Sequence, residues 1–287
     1  MGGIDHKSAL TEEPGRSMDQ FELFGFTWDR EMVPGDVPVH STERAVFRFL
    51  RMLPEFVWDA AVLEGNPFTF PEVQTLLDGV TVGGHKLSDE SQILNLAAAS
   101  RLLIAKVRNG LFRLDKVTFC ELHGIVARDE ALEWGHFRGE GPESNYTPEV
   151  ALGEAGRHTP LPTLAGAPQL NQVFKRGVDA LVNSDFSELE KALAFFLFGA
   201  LHQFFFDGNK RTSRLMMNGV LMTSGIDAIS IPAAAAQRFN EKMVRFYQSK
   251  DATEMMAFLI SCHPETEVSA KSIAPTLPGK GTGYQTR

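Results

Sequence analysis

The chain has 287 residues, enough for one large domain or a core domain with a smaller partner, and 43% of them are hydrophobic against 22% charged, the balance of an ordinary globular protein. A net charge of −8 argues against a general nucleic-acid binder, which carries a basic excess. Cys120 and Cys262 stand far apart and suit a reducing compartment, the first residues form no signal peptide, and the longest apolar stretch, 193–206, is interrupted and too short to span a bilayer, so the expected address is the cytoplasm.

Residues 1–40 are polar and dotted with proline and glycine around one aromatic cluster, Phe21, Phe24, Phe26 and Trp28; they read as a loosely packed arm. From Ser41 the pattern turns helical, with Ala45, Phe47, Leu50 and Leu53 on one face, and Pro54 opens a second segment through Leu63. Pro71 suits the start of a short helix that Gly79 stops. Ser88 is placed to cap a long helix carrying Leu94, Leu96, Ala97, Leu102, Leu103 and Val107 to a stop at Gly110, and Asp115 to cap the next, with Val117, Phe119, Leu122 and Val126.

Residues 131–170 break this rhythm. Only Tyr146-Thr147 and Val150-Ala151-Leu152 hint at a strand or hairpin, and so long an irregular stretch in a compact domain is usually functional. Helical periodicity returns at Leu170. Ser187 and Glu190 form a capping box for a strongly apolar helix ending near His202. Asn209–Met222 is the next helix, stopped by Gly225; Pro232 starts another with Phe239, Met243 and Phe246, and Asp251 caps a last one through Ile260. The Cys262-His263 pair lacks partners at zinc-like spacing and reads as a helix end, and 264–287 reads as a disordered tail. The expected fold class is all-α with one short hairpin at most, divided into an arm (1–40), an N-terminal helical region (41–112), a core domain (113–263) and the tail (264–287).

The chemistry concentrates in His202 to Arg214, which reads His-Gln-Phe-Phe-Phe-Asp-Gly-Asn-Lys-Arg-Thr-Ser-Arg. A helix start carries partial positive charge, so cations in its first turn are misplaced by a few tenths to ~1 kcal/mol each. Lys210, Arg211 and Arg214 at such a point indicate a bound anion, and Gly208 lets the backbone approach a phosphate. Taken singly, His202 could be a helix-end core residue, Asp207 an N-cap and the arginines a solvated face. Their order and tight spacing make the set specific to a nucleotide-handling site.

That order resembles the motif of the Fic family, His-x-Phe-x-Asp/Glu-Gly-Asn-Gly/Lys-Arg-x-x-Arg, matched in sequence by His202, Phe204, Asp207, Gly208, Asn209, Lys210, Arg211 and Arg214. Ala60 to Asn66, continuing through Pro71 to Leu77, is similar to the N-terminal inhibitory helix of one Fic class, and Val150 to Pro160 stands where the family carries a flap hairpin. The resemblance implies a helical Fic fold with a short β-hairpin flap and a protein adenylyltransferase that uses ATP and Mg²⁺. It implies that His202 is the general base for a target hydroxyl, and that Asp207 holds Mg²⁺ on the α- and β-phosphates. Amides of Gly208 to Arg211, with the Asn209 side chain and Arg211, would form the anion hole, and Arg214 would pair with the γ-phosphate. The flap 150–160 would grip a target protein by strand addition. Glu64 would pair with Arg214, hold the enzyme autoinhibited and support removal of AMP. Asn240 is a candidate for the adenine wall. A homodimer is compatible with this reading; nucleic acid and membrane are not expected partners.

Three departures from the pattern stand out. His202 lies one residue further from Asp207 than the motif allows, because three phenylalanines fill the space of two; either the loop bulges or His202 is displaced. Lys210 replaces the commoner glycine, as in Doc-like relatives that bind ATP reversed and transfer phosphate, although Arg214, typically missing from those relatives, favours AMP. Ala60 stands where the inhibitory motif has Ser or Thr, which removes one anchoring hydrogen bond worth ~1 kcal/mol. The alternatives to AMP transfer are therefore a Doc-like kinase and a nucleotide-binding regulatory protein with a weak or dead site.

Overall fold

The computed structural model describes residues 19–33 and 37–265. The expected tail, from residue 266 onward, and residues 1–18 of the expected arm lie outside the described residues. Among the described residues there are eleven α-helices: α1 (Gln20–Phe24), α2 (Thr42–Arg51), α3 (Leu53–Val62), α4 (Phe70–Leu77), α5 (Leu87–Arg108), α6 (Lys116–Val126), α7 (Pro168–Asn183), α8 (Glu188–His202), α9 (Asn209–Thr223), α10 (Ala236–Ser249) and α11 (Thr253–Ser261). One antiparallel hairpin joins β1 (Val150–Ala151) and β2 (Arg157–His158), with Val150 opposite His158. No described helix is long and apolar enough to cross a membrane.

At the centre lies the antiparallel pair α8 and α9. The capping box expected at Ser187 is present: Ser187 Oγ accepts from Glu190 N at 3.1 Å, and Glu190 Oε2 accepts from Ser187 N at 3.1 Å. Every residue from Ala192 to Leu201 is buried, so this helix has no solvent face and its apolar pattern runs all round. Around it Phe119 of α6, Phe137, Phe174 of α7, Phe195, Phe198, Phe204 and Phe205 pack edge to face or stacked at centroid separations near 5 to 6 Å. Such pairs contribute about 0.5–1.5 kcal/mol each beyond the area they bury.

Three local expectations shift. The described part of the arm is not loose: Phe24 and Phe26 are fully buried, Trp28 nearly so, and Trp28 Nε1 donates to Glu190 Oε1. Phe24, Phe26 and Trp28 are tertiary core elements, because α8, α10 and the α7–α8 connection offer them Phe198, Phe246 and Phe186, while Phe21 stays exposed. On α2 the buried face is Ala45, Val46 and Phe49, with Phe47 and Leu50 exposed; the face is turned by one residue from the pattern read on Phe47 and Leu50. The long helix α5 starts with Lys86 as N-cap, which leaves Ser88 inside its first turn.

Elsewhere the boundary signals act as read. Asp115 Oδ1 accepts from Thr118 N at 2.8 Å. Pro71 sits in the first turn of α4, where Thr69 and Glu72 form a capping box. Asp251 Oδ1 accepts from Thr253 N at the start of α11, and Cys262 closes that helix.

Candidate active site

The chain leaves α8 through Gln203, whose backbone is left-handed (φ 50°, ψ 61°), and enters α9 through Gly208, also left-handed at φ 71°. The loop between them is held from inside. Asn209 Oδ1 accepts from Phe205 N at 2.9 Å, while its two amide protons go to Phe205 O at 2.9 Å and Gln203 Oε1 at 3.0 Å. Both donors of Asn209 are therefore spent on shaping the loop, so the side chain expected in the anion hole is instead its scaffold. Thr212 N and Oγ1 both donate to Gly208 O at 2.9 Å, which fixes the first turn of α9.

His123 of α6 braces the same loop from behind. Its Nδ1 accepts from Gly135 N at 3.1 Å, so its proton sits on Nε2, which donates to Asp207 O at 2.9 Å. Its ring stacks on Phe205 at 3.6 Å, and burial pushes its pKa down to about 3. It is a neutral strut.

The cations of the first turn meet carboxylates brought from elsewhere. Glu64, just beyond α3, lies 3.3 Å from Arg214 Nη2 and 3.4 Å from Lys210 Nζ. Glu130 Oε2 lies 2.6 Å from Arg211 Nη1 and also accepts from Gln92 Nε2. Asp207 has a 64% exposed side chain, its Oδ2 3.7 Å from Arg211 Nη2 and its Oδ1 accepting from Gly208 N. Burial opposes ionisation of Glu64, yet Lys210, Arg214 and Arg211 together hold its carboxyl below the usual range. The negative charge that the helix start requires is thus supplied by protein carboxylates.

These residues suit a magnesium nucleoside triphosphate. Arg214 Nε and Nη1 and Arg211 Nε are buried without hydrogen-bond partners among the described residues, donors that a polyphosphate would satisfy. Asp207 presents an exposed carboxylate for a hard cation at the edge of the same site. A cavity of about 40 Å³ adjoins Arg211 and Arg214, lined among others by Phe56, Ala60, Leu96 and Asn218. Asn240 does not line it and is exposed on α10.

His202 is turned the other way. Its Nε2 donates to Phe24 O at 2.8 Å, its ring lies 4.7 Å from that of Phe198, and Gly25 covers it so closely that a Cβ there would sit 3.3 Å from Cε1. Burial lowers its pKa to about 4, only partly offset by the Phe24 carbonyl. The structure does not bring His202, expected as the general base, to the loop: its ring packs at the end of α8 against Phe24, Gly25 and Phe198. The motif register falls one residue later. Gln203 stands four residues before Asp207 and Phe205 two before it, and these are the side chains that touch Asn209 and His123.

Gln203 is fully engaged. Its Nε2 donates to Ala200 O at 2.7 Å, its Oε1 accepts from Asn209, and its carbonyl accepts from Arg138 Nε at 2.6 Å. Arg138 is fully buried with no carboxylate partner among the described residues; its Nη1 donates to Thr163 Oγ1 and its Nη2 to Leu161 O, tying the irregular 131–170 segment to the loop. The hairpin is tied in as well, through His158 Nε2 2.7 Å from Leu201 O. Sequence reasoning missed His123, Glu130, Arg138 and Gln203. Only His123 had a signal, since it shares the apolar face of Phe119, Leu122 and Val126; the other three are defined by partners 65 to 81 positions away or by a one-residue register.

No family model matches the chain. It is 24% identical over 260 residues to a protein adenylyltransferase Fic of Drosophila ananassae, covering 89% of this chain and 49% of that protein. It is 25% identical over 215 residues to its namesake in Drosophila melanogaster, covering 74% and 41%. The chain spans about half the length of these curated relatives or less. Among solved structures, a Fic domain containing signaling protein from Bacteroides thetaiotaomicron superposes with a TM-score of 0.64 at 18% identity, covering 84% of this chain and 95% of that one. Fic-1 from C. elegans superposes at 0.61 and 20%, covering 80% and 64%. The chain thus shares the fold of Fic family structures, and in sequence it is similar to proteins named protein adenylyltransferase Fic.

Proposed function

We propose that the chain binds ATP with Mg²⁺ at the head of α9 and transfers AMP to a hydroxyl of a target protein, with Glu64 as its built-in inhibitor. The observation that carries this reading is the Glu64 clamp: one carboxylate from just beyond α3 pairs with both Lys210 and Arg214, the cations that would receive the terminal phosphates. The names of the curated relatives support the chemistry. Amides at the start of α9 and the guanidinium of Arg211 would hold phosphate oxygens, and Asp207 would ligate the metal. When bound, Mg²⁺ neutralises charge on the departing pyrophosphate. While Glu64 holds Arg214, the γ-phosphate has no cation to align it, so the α-phosphate is not presented to an acceptor. Held ionised, Glu64 also suits activation of water for removal of AMP. The hairpin at 150–158, pinned beside the loop by His158, would add a strand of target protein.

Replacing Glu64 with glycine tests this. Calorimetry with MgATP should show tighter binding, and intact mass should show slow addition of AMP rather than phosphate to the chain or a co-incubated acceptor. Addition of phosphate would establish the Doc-like kinase instead, and absence of nucleotide binding in the variant would overturn the reading. A second reading, a nucleotide-binding regulator without transfer, is favoured by one observation: His202 is committed to the Phe24 carbonyl.

A further inference from the structure

We infer that Gln203, rather than any histidine, occupies the position from which the acceptor's proton must be taken, and that this amide throttles transfer while leaving nucleotide binding intact. The inference rests on the adenylyl-transfer reading of the site.

Three observations carry it. Gln203 reaches the anion loop directly through Asn209, whereas His202, one residue earlier, points to the opposite side of the helix end. The helix ends at His202 and the backbone turns left-handed at Gln203, so one chain position decides which side chain faces the loop. The aromatic packing also locks this register. Phe204 sits among Phe137, Phe174 and Phe198, and Phe205 lies between His123 and Phe119, so sliding the chain by one residue would empty both places.

The chemistry defines what is missing. As the acceptor oxygen bonds to the α-phosphorus, the bond from that phosphorus to the bridging oxygen breaks and pyrophosphate leaves. The hydroxyl proton must pass to a base. A neutral carboxamide has no basic lone pair near neutral pH, and the Gln203 amide is already bonded to Ala200 O and Asn209. An imidazole at the same position could accept that proton, and positioned general bases contribute typically 10²–10⁴-fold. Histidine also tolerates the left-handed backbone at Gln203 better than most residues.

The test compares four full-length proteins carrying Glu64→Gly: the parent, and those with Gln203→His, Gln203→Gly or His202→Gln added. Each is assayed for MgATP binding, thermal unfolding and AMP addition from labelled ATP across pH 5.5 to 8.5. Gln203→His should raise labelling by at least ~100-fold, with a new rate dependence on an ionisation near the ordinary histidine range. Gln203→Gly, which suits φ 50° and opens the position, should gain rate in proportion to added imidazole. His202→Gln, which keeps a donor for the Phe24 carbonyl, should label at the parental rate.

Abolished labelling in His202→Gln would overturn the inference, because His202 would then be the base. So would folded, nucleotide-binding Gln203→His and Gln203→Gly proteins that gain nothing from the installed or the added imidazole. Loss of MgATP binding in the parent itself would count against the adenylyl-transfer reading, a separate outcome.

Discussion

Replacing His123 by phenylalanine should destabilise the protein in a way that depends on pH. The new ring keeps the stack on Phe205 but leaves the Asp207 carbonyl and the Gly135 amide without their partner. Each buried group so stranded costs about 1–3 kcal/mol, which gives a loss of about 2–6 kcal/mol at pH 7.5. Acid should narrow this gap. The folded pKa of His123 is lowered to about 3, below the ordinary histidine value of about 6.5, so its contribution is complete above pH 6.5 and is lost as pH falls towards 3. At pH 5 the unfolded chain has already bound the proton that the native state refuses, a cost of about 2 kcal/mol to the parent and none to the variant. Urea unfolding of both proteins at pH 7.5 and pH 5.0 measures the two differences directly. A variant within 0.5 kcal/mol of the parent at pH 7.5, or a gap that widens on acidification, would refute the reasoning.

Three further outcomes follow from the geometry. Arg138→Met strands the Gln203, Thr163 and Leu161 oxygens in the interior and should cost about 3 kcal/mol or more in denaturant unfolding, with weaker nucleotide binding because the loop loses its anchor. Glu130→Ala removes the short ion pair of buried Arg211, leaving Asp207 at 3.7 Å and the more distant charge of Glu64, and should cost about 3 kcal/mol without nucleotide; thermal unfolding with saturating MgATP should recover much of it, since phosphate replaces the lost carboxylate. Gly225→Ala places a Cβ 2.0 Å from the His40 carbonyl oxygen at φ 74°, so the α9–α2 connection must open; a fall in thermal midpoint of several degrees checks it.

Much of the fold was legible along the chain because its signals are local. Caps at Ser187 and Asp115 and the stop at Gly225 act within a few residues of themselves, and the alternation of apolar positions needs only one helix to express it. The N-terminal aromatic cluster was legible as residues but not as structure. Phe24 and Trp28 look like a loose arm until α8 and the connection before it provide Phe198, Glu190 and Phe186 as partners. The charge logic of the site was likewise half visible. Lys210, Arg211 and Arg214 announced an anion, but only the approach of α3 and of the segment after α6 shows that Glu64 and Glu130 supply it.

The sequence by itself determined a mainly helical scaffold and a cluster of cations behind one glycine-asparagine loop, since both are written in short-range spacing. It could not determine which of two adjacent residues, His202 or Gln203, faces that site. That choice is made by packing: the places taken by Phe204 and Phe205 against α6, α7 and the 131–138 segment set where α8 ends, and the left-handed turn at Gln203 does the rest.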